Sequence, residues 1–273
     1  MYASRQGHDQ GHCTMQNTRS CVVAVAGLLL ATLGSPLTPA SAGTFEVKTP
    51  DINKGETSFS WNSNVQGRFP VNADPTRYSS EIDLGYSPTS WFFMGGKINF
   101  DQAVDEHWKV STAGAEIQLR FEKARPGFDY GWYTGVDVRV NPDETNTLTF
   151  GPIIQFGDDK LSLTLNPFFQ KTFGENREDG IAFAYGVMAK REIKQGMAFG
   201  IEAYGTIPDI GHGTSIAFQD HRIGPVLYFE REVGSPHHKG GSQPKATLDI
   251  GSYFGLTDAS PDLTGKVKIG LTW

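Results

Sequence analysis

The fold class is decided by the last eleven residues, Leu263-Thr-Gly-Lys-Val-Lys-Ile-Gly-Leu-Thr-Trp273, which alternate between two kinds of side chain. The apolar set is Leu263, Gly265, Val267, Ile269, Leu271 and Trp273, and the polar set is Thr264, Lys266, Lys268, Gly270 and Thr272. Side chains of a β-strand point alternately to opposite surfaces. The segment therefore predicts a strand with one apolar and one polar surface.

The same pattern recurs from residue 56 to the end of the chain. Roughly ten residues of alternating polarity are followed by a short polar turn, and this happens about twelve times. Residues 161–170 and 246–256 show it clearly, and no stretch shows a sustained 3.6-residue period. We predict an all-β protein in which residues 56–273 form a single antiparallel up-and-down transmembrane β-barrel of about 12 strands.

The placement of charge separates this barrel from a soluble sandwich or a lipocalin-like barrel, which shows the same period. Charge on the apolar faces occurs only near strand ends, at Lys171 and Arg231. A lipid-facing Arg or Lys costs about 2–4 kcal/mol at the bilayer midplane and little near its surface. The sequence therefore predicts lipid around the barrel, in the cell outer membrane. The predicted loops are short, which favours a monomer. The charges on the polar faces are those of Glu81, Asp83, Lys97, Glu116, Arg120, Asp137, Arg139, Glu202, Asp249, Lys266 and Lys268.

The N-terminus predicts export. Residues 21–33 form an apolar run that is too short to span a bilayer, and Ala40-Ser41-Ala42 resembles a cleavage site. We expect residues 1–42 to be a signal peptide and residues 43–55 a periplasmic N-terminal segment. Both cysteines, Cys13 and Cys21, lie in the part to be removed, so no disulfide is expected. The remainder carries 22 basic and 29 acidic residues, which argues against nucleic acid as a partner.

Several short motifs carry a resemblance to a known family. They are Phe45-Glu-Val-Lys-Thr-Pro, Phe150-Gly-Pro152, His221-Arg-Ile-Gly-Pro-Val-Leu-Tyr228 and Gly251-Ser-Tyr-Phe-Gly-Leu-Thr257. With them, most of the chain after residue 42 resembles a porin- or transporter-like family of proteobacterial outer-membrane barrels that has no settled activity. The resemblance implies location and fold. The terminal Trp273 also resembles the signal read by the outer-membrane barrel assembly machinery, although Phe is commoner at that position.

The charged polar faces suggest what the barrel does. Neighbouring strands carry opposite signs: Glu81 and Asp83 lie beside Lys97, Glu116 and Arg120 beside Asp137 and Arg139, and Asp249 beside Lys266 and Lys268. This indicates either a pore or solute-binding lining, or a salt-bridged interior, because an unpaired buried charge is costly in both. Small neutral side chains on strands 6–9 leave space for a narrow passage. We predict a channel or transporter for small polar solutes; a plugged structural or ligand-binding barrel is the alternative.

A surface hydrolase is a third and weaker interpretation. Asp209, His212, Asp220 and His221 share one loop, but neither G-x-S-x-G nor H-E-x-x-H occurs. We therefore expect no enzyme, cofactor or metal. The same loop contains an apolar triplet, Ile216-Ala217-Phe218. It predicts a constriction in which Phe218 plugs the mouth and Asp209, Asp220 and His221 form the rim; alternatively, Ile216 and Phe218 pack on a neighbouring hairpin.

Two Gly-Pro pairs, Gly151-Pro152 and Gly224-Pro225, interrupt otherwise regular strands. Proline has no N–H to donate to a β-ladder, and a closed barrel has no edge that tolerates it. We expect a local bulge at each pair.

Overall fold

A computed structural model describes residues 45–68, 77–103, 107–121, 126–140, 145–175, 177–234 and 243–273. The predicted signal peptide, residues 1–42, lies outside the described residues. No helix within the described ranges is long and apolar enough to cross a membrane.

The described residues form twelve β-strands. The strands are β1 Thr57–Gly67, β2 Arg77–Tyr86, β3 Phe92–Ala103, β4 Lys109–Arg120, β5 Phe128–Arg139, β6 Asn146–Gly157, β7 Leu161–Phe173, β8 Ala182–Lys194, β9 Met197–Ile207, β10 Asp220–Glu232, β11 Lys245–Gly255 and β12 Leu263–Thr272.

The strands form one closed barrel in which every strand pairs antiparallel with its chain neighbours and β1 pairs with β12. The closing seam pairs Ser58 with Thr272 and runs to Gly67 opposite Leu263. At its end, the backbone N–H groups of Thr57 and Trp273 donate to each other's carbonyls over 2.9 and 3.0 Å. The predicted up-and-down barrel is confirmed. We call the end with Thr57 and Trp273 the terminal end, and the opposite end, which includes the β9–β10 connection, the loop end.

Polarity is reversed relative to a water-soluble protein. Asn62 and Glu202 point into the lumen and are each only 2% exposed, whereas Leu84 and Phe254 point outward and are 56% and 55% exposed. The strand pleat sends alternate side chains to opposite surfaces, so a strand of alternating polarity presents its apolar residues to lipid. The large apolar side chains form the exterior, and hydrogen-bonding groups fill the interior.

The Gly-Pro pairs interrupt the ladder without shifting it. Pairing between β6 and β7 stops after Phe150–Phe169 and resumes at Ile154–Leu165 in the same register. Pairing between β10 and β11 is likewise missing around Gly224-Pro225, again with no change of register. The expectation of bulges there is wrong, because the missing proline donor leaves a gap but adds no residue. Register shifts occur between β3 and β4, and between β8 and β9.

Residues 45–52, which we call the N-terminal segment, run inside the barrel. Phe45, Ile52 and Pro50 are buried. The Gln118 side chain donates to the carbonyl of Thr49 over 2.7 Å, which places the segment against β4. We expected residues 43–55 to be a periplasmic N-terminal segment, and the structure shows residues 45–49 in contact with lumen-facing side chains. The physical reason is that these side chains offer the segment hydrogen bonds, opposite charges and aromatic surface.

Candidate functional site

Lys48 of the N-terminal segment lies at the centre of a charged cluster. Its Nζ is 2.9 Å from an oxygen of Glu116, 2.8 Å from Glu46 and 4.0 Å from Asp83. The Tyr133 hydroxyl donates to the second oxygen of Glu116 over 2.9 Å. A buried cation is tolerated only when it is paired, and here carboxylates from β2, β4 and the segment itself surround it. The lumen thus holds the segment by charge.

The flanking lysines extend this cluster along the wall. Lys268 of β12 forms an ion pair with Glu46. Lys97 of β3 lies 3.1 Å from Asp137 and 3.9 Å from Glu81. The sequence predicted Lys97 beside Glu81, and the two lie within ion-pair distance here. It did not predict that Glu116 and Lys268 find their partners on the N-terminal segment.

A second buried cluster surrounds Glu202 on β9. Its carboxylate accepts hydrogen bonds from the hydroxyls of Tyr204, Tyr228 and Tyr253 over 2.5–2.8 Å and from Lys266 over 3.0 Å. The rings of Tyr204 and Tyr253 also contact Phe45, at centroid distances of 5.1 and 5.8 Å. This arrangement makes one side of the lumen a packed core rather than an open passage.

Arg120, Asp249 and Arg139 are the lumen charges that remain. Arg120 pairs with Asp129 at 2.5 Å and lies 3.8 Å from Asp51, toward the terminal end. Asp249 faces Lys268 across the β11–β12 register. Arg139 lines the lumen cavity toward the loop end. Arg120 was expected beside Asp137 and Arg139 of β5, and it instead pairs with Asp129, near the opposite end of the same strand.

A cavity of about 290 Å³ lies in the lumen beside the N-terminal segment. Phe45, Glu46 and Lys48 form part of its lining. Its charged walls come mainly from β3–β5, and its small or neutral walls come from β6–β8. Ala184 and Gly186 of β8 leave room here, and a Cβ on Gly186 would lie 3.3 Å from Val47. Larger residues at these positions would fill the space that the segment and the cavity share.

Three carboxylates in this region approach each other closely. One oxygen each from Glu46, Glu81 and Asp83 lie within 4.8 Å of one another. Lys48 and Lys268 bind Glu46, and Lys97 lies 3.9 Å from Glu81. A metal ion here would have to compete with ammonium groups that are already in place, so the arrangement is that of an ion-pair network.

The β9–β10 connection does not constrict the lumen. It contains one 3-10 turn, Ile216–Phe218, in which Ile216 and Phe218 are 66% and 71% exposed. Neither lines the cavity. The prediction that Phe218 plugs the mouth is therefore wrong, and the N-terminal segment occupies the passage instead. The connection is stabilised within itself, where the Asp209 carboxylate accepts from Gly211 and His212 and its pKa is lowered, chiefly by the backbone N–H of Gly211.

The predicted rim residues are held in hydrogen bonds. The His221 ring bonds to the Tyr185 hydroxyl and to Gln219, each over 2.9 Å. Asp220 accepts from the buried Ser260 hydroxyl and from Arg222. In the described part of the chain, no serine hydroxyl bonds to a histidine ring, which is the geometry that a Ser–His hydrolase needs. These groups fix the start of β10.

Sequence reasoning missed the residues that fill the lumen: Phe45, Glu46, Lys48 and Arg222. The Arg222 guanidinium lies 4.7 Å from the centre of the Phe45 ring and is fixed by Asp220 and Thr264. A signal was available, because Phe45-Glu-Val-Lys alternates apolar and charged residues as a strand does. Four residues are too few to distinguish such alternation from chance.

Comparison with known proteins agrees with this architecture. No protein-family model matches the chain, and neither does any curated protein sequence. Among solved structures, an outer-membrane channel from Pseudomonas putida F1 aligns with a TM-score of 0.56 at 11% identity, over 86% of this chain and 98% of the channel. The NanC porin aligns with a TM-score of 0.50 at 7% identity, over 80% of this chain and 98% of the porin.

At these identities the likeness is one of fold. The chain is a porin-like barrel, as the sequence predicted. Its closed ladder leaves no strand edge, and its exterior is apolar, which are the two conditions for a β-protein to cross a bilayer. The protein belongs to the cell outer membrane.

Proposed function

We propose that the protein is a channel for small polar solutes and that the N-terminal segment narrows its passage from within. The observation that carries this proposal is the polar cavity of about 290 Å³ enclosed by the barrel wall. Eight-stranded barrels fill their interiors with side chains, and barrels of 16 strands or more hold an aqueous channel. With twelve strands there is space beyond side-chain filling, and the segment occupies only part of it.

The cavity lining supports a preference for cations. Its carboxylates are those of Glu46, Glu81, Asp101, Glu116, Asp137 and Asp220, and its cationic side chains are those of Lys48, Lys97, Arg139 and Arg222. Six negative groups against four positive ones leave an excess of negative charge. A lumen with an excess of one sign of charge concentrates ions of the opposite sign. In a KCl gradient, the reversal potential should therefore show K⁺ passing more readily than Cl⁻.

Single-channel recording in planar bilayers tests the proposal. The full-length protein should conduct weakly, and a variant lacking residues 43–53 should conduct clearly more, because its lumen loses the segment. A second variant separates the order of the residues from their number: it keeps the length and composition of the segment but scrambles the order of residues 44–52. It should also conduct more than the wild type, since its charges no longer meet Glu116 and Lys268. If the deletion variant folds and conducts no better than the full-length protein, the segment does not narrow the passage.

A barrel with a structural or ligand-binding role is the second candidate, and the filled side of the lumen favours it. Phe45 and Val47 pack among buried side chains of β8–β11 as in a protein core. Folded protein with no conductance in the full-length form and in both variants would support this candidate. Neither candidate requires catalysis, and we propose that the protein is not an enzyme.

A further inference from the structure

The lumen contacts the backbone of the N-terminal segment as well as its side chains. The backbone N–H of Lys48 donates to Oδ1 of Asn166 over 2.6 Å, and Nδ2 of Asn166 donates back to the Lys48 carbonyl over 2.9 Å. Nε2 of Gln118 donates to the next carbonyl, that of Thr49, over 2.7 Å. Any residue except proline offers the same N–H and C=O groups at these positions. Asn166 and Gln118 thus recognise an extended main chain, as a neighbouring strand would.

The side chains of the segment enter separate pockets. Phe45 lies against Tyr204 and Tyr253 and under the Arg222 guanidinium. The opposite face carries Lys48, whose Nζ reaches Glu116 and the face of the Tyr133 ring, 5.6 Å from its centre. The two pockets therefore favour a segment with an aromatic residue followed three positions later by a lysine over segments with these residues in another order.

Between these two pockets the lumen wall leaves room for the middle of the segment. Val47 lies over Gly186, where an added Cβ would come within 3.3 Å of it, and Glu46 meets Lys268 on the other side. Every residue from 45 to 49 therefore makes a defined contact with the barrel.

We propose that the lumen is a binding site for extended peptides and that its own N-terminal segment is one such ligand. The preferred peptide carries an aromatic residue, then an acidic residue, a small β-branched residue and a lysine, in extended conformation. Such a peptide, supplied by another molecule, would bind the vacated lumen in trans and compete with residues 45–49 of the chain. This goes beyond solute conduction, because binding of the peptide does not require it to pass through the barrel.

The test uses the folded full-length barrel. A specific protease site is inserted into the exposed turn between Asn53 and Glu56, and the refolded protein is cut there so that the segment is no longer covalently attached. A fluorescent peptide with the sequence of residues 44–53 is then added in detergent micelles, and its anisotropy is measured. We expect saturable binding that unlabelled peptide reverses, and no binding of a scrambled peptide. Equal binding of the scrambled peptide, or none of either, would overturn the proposal.

Two variants of the cut barrel locate the site. Asn166→Leu removes both backbone hydrogen bonds at similar volume and should weaken binding about tenfold or more. Gln170→Leu is the matched control, because Gln170 lines the same cavity but bonds to Thr149 rather than to the segment. It should bind as the wild type does. If both variants bind equally, Asn166 does not read the peptide backbone and the site is wrong.

A barrel lacking residues 43–53, whose folding is checked by its heat-modifiable migration, provides a second measurement in case the cut protein is unstable. It should bind the labelled peptide without competition. Anisotropy in micelles is independent of conductance, so a barrel that never conducts can still bind, and a conducting barrel can fail to bind. The two proposals therefore fail separately.

Discussion

Replacing Glu202 by alanine should be among the most damaging single changes in the barrel. The Glu202 carboxylate is 2% exposed and accepts four hydrogen bonds, one of them from Lys266. The Lys266 side chain is also 2% exposed, so it has no access to bulk water once its partner is gone. The substitution leaves a buried ammonium group beside three tyrosine hydroxyls that have lost their acceptor.

The expected cost follows from the burial of this pair. Removing one partner of a buried ion pair costs about 3–5 kcal/mol, because the remaining charge is left without compensation. The loss of the three tyrosine hydrogen bonds adds only part of its own cost to this value, since each hydroxyl can turn toward another partner. We expect Glu202→Ala to lower the free energy of unfolding by about 4 kcal/mol. Glu202→Leu combined with Lys266→Met should recover most of it, because an apolar pair of similar volume carries no unpaired charge.

Urea unfolding of the refolded barrel in lipid vesicles, followed by tryptophan fluorescence, measures these free energies. The matched control is Glu230→Ala, which breaks the Lys245–Glu230 pair. That pair has a similar distance of 2.8 Å but exposed side chains, at 44% and 49%. An exposed pair contributes at most about 1 kcal/mol. The reasoning is refuted if Glu202→Ala costs no more than Glu230→Ala, or if the double variant is as unstable as the single one.

Three further predictions address the ends of the chain and the loop. Mature protein from the membrane fraction should begin at Gly43 on N-terminal sequencing; recovery of uncleaved chain in the inner membrane would contradict export. Deleting Trp273 should reduce the amount of heat-modifiable barrel, because its backbone closes the β1–β12 seam against Thr57, and undiminished assembly would argue against its role as a signal. Replacing residues 212–219 by a short Gly/Ser turn should leave conductance unchanged, since Phe218 does not touch the lumen lining; a clear increase would restore the loop as the constriction.

Local pattern was sufficient for the wall of the barrel. The alternating segment at residues 161–170 lies within β7, Leu161–Phe173, and the one at residues 246–256 corresponds to β11, Lys245–Gly255. Strand side chains alternate with a period of two, so the roughly ten residues of one strand show by their polarity which of its two faces contacts lipid. The same rule gave the side of the wall on which each lumen charge lies, but it placed Lys97 only beside the acidic residues of β2 and not beside Asp137 of β5, which lies 3.1 Å from it.

What lies across the lumen was decided only by the tertiary structure. Lys48 meets Asn166, 118 positions later, and Lys268 meets Glu46, 222 positions earlier. Periodicity specifies the face on which a side chain lies but not the residue opposite it, because that depends on the curvature of the closed barrel and on the space left inside. The wrong prediction for Phe218 has the same cause. Its apolar side chain suggested a buried position in the lumen, but the aromatic pocket formed by Tyr204 and Tyr253 holds Phe45 instead. Alternating polarity was enough to predict a wall of about twelve strands with a polar interior. Only the folded chain shows that its own N-terminal segment fills part of that interior, because this segment supplies the charges and backbone groups that the lumen side chains require.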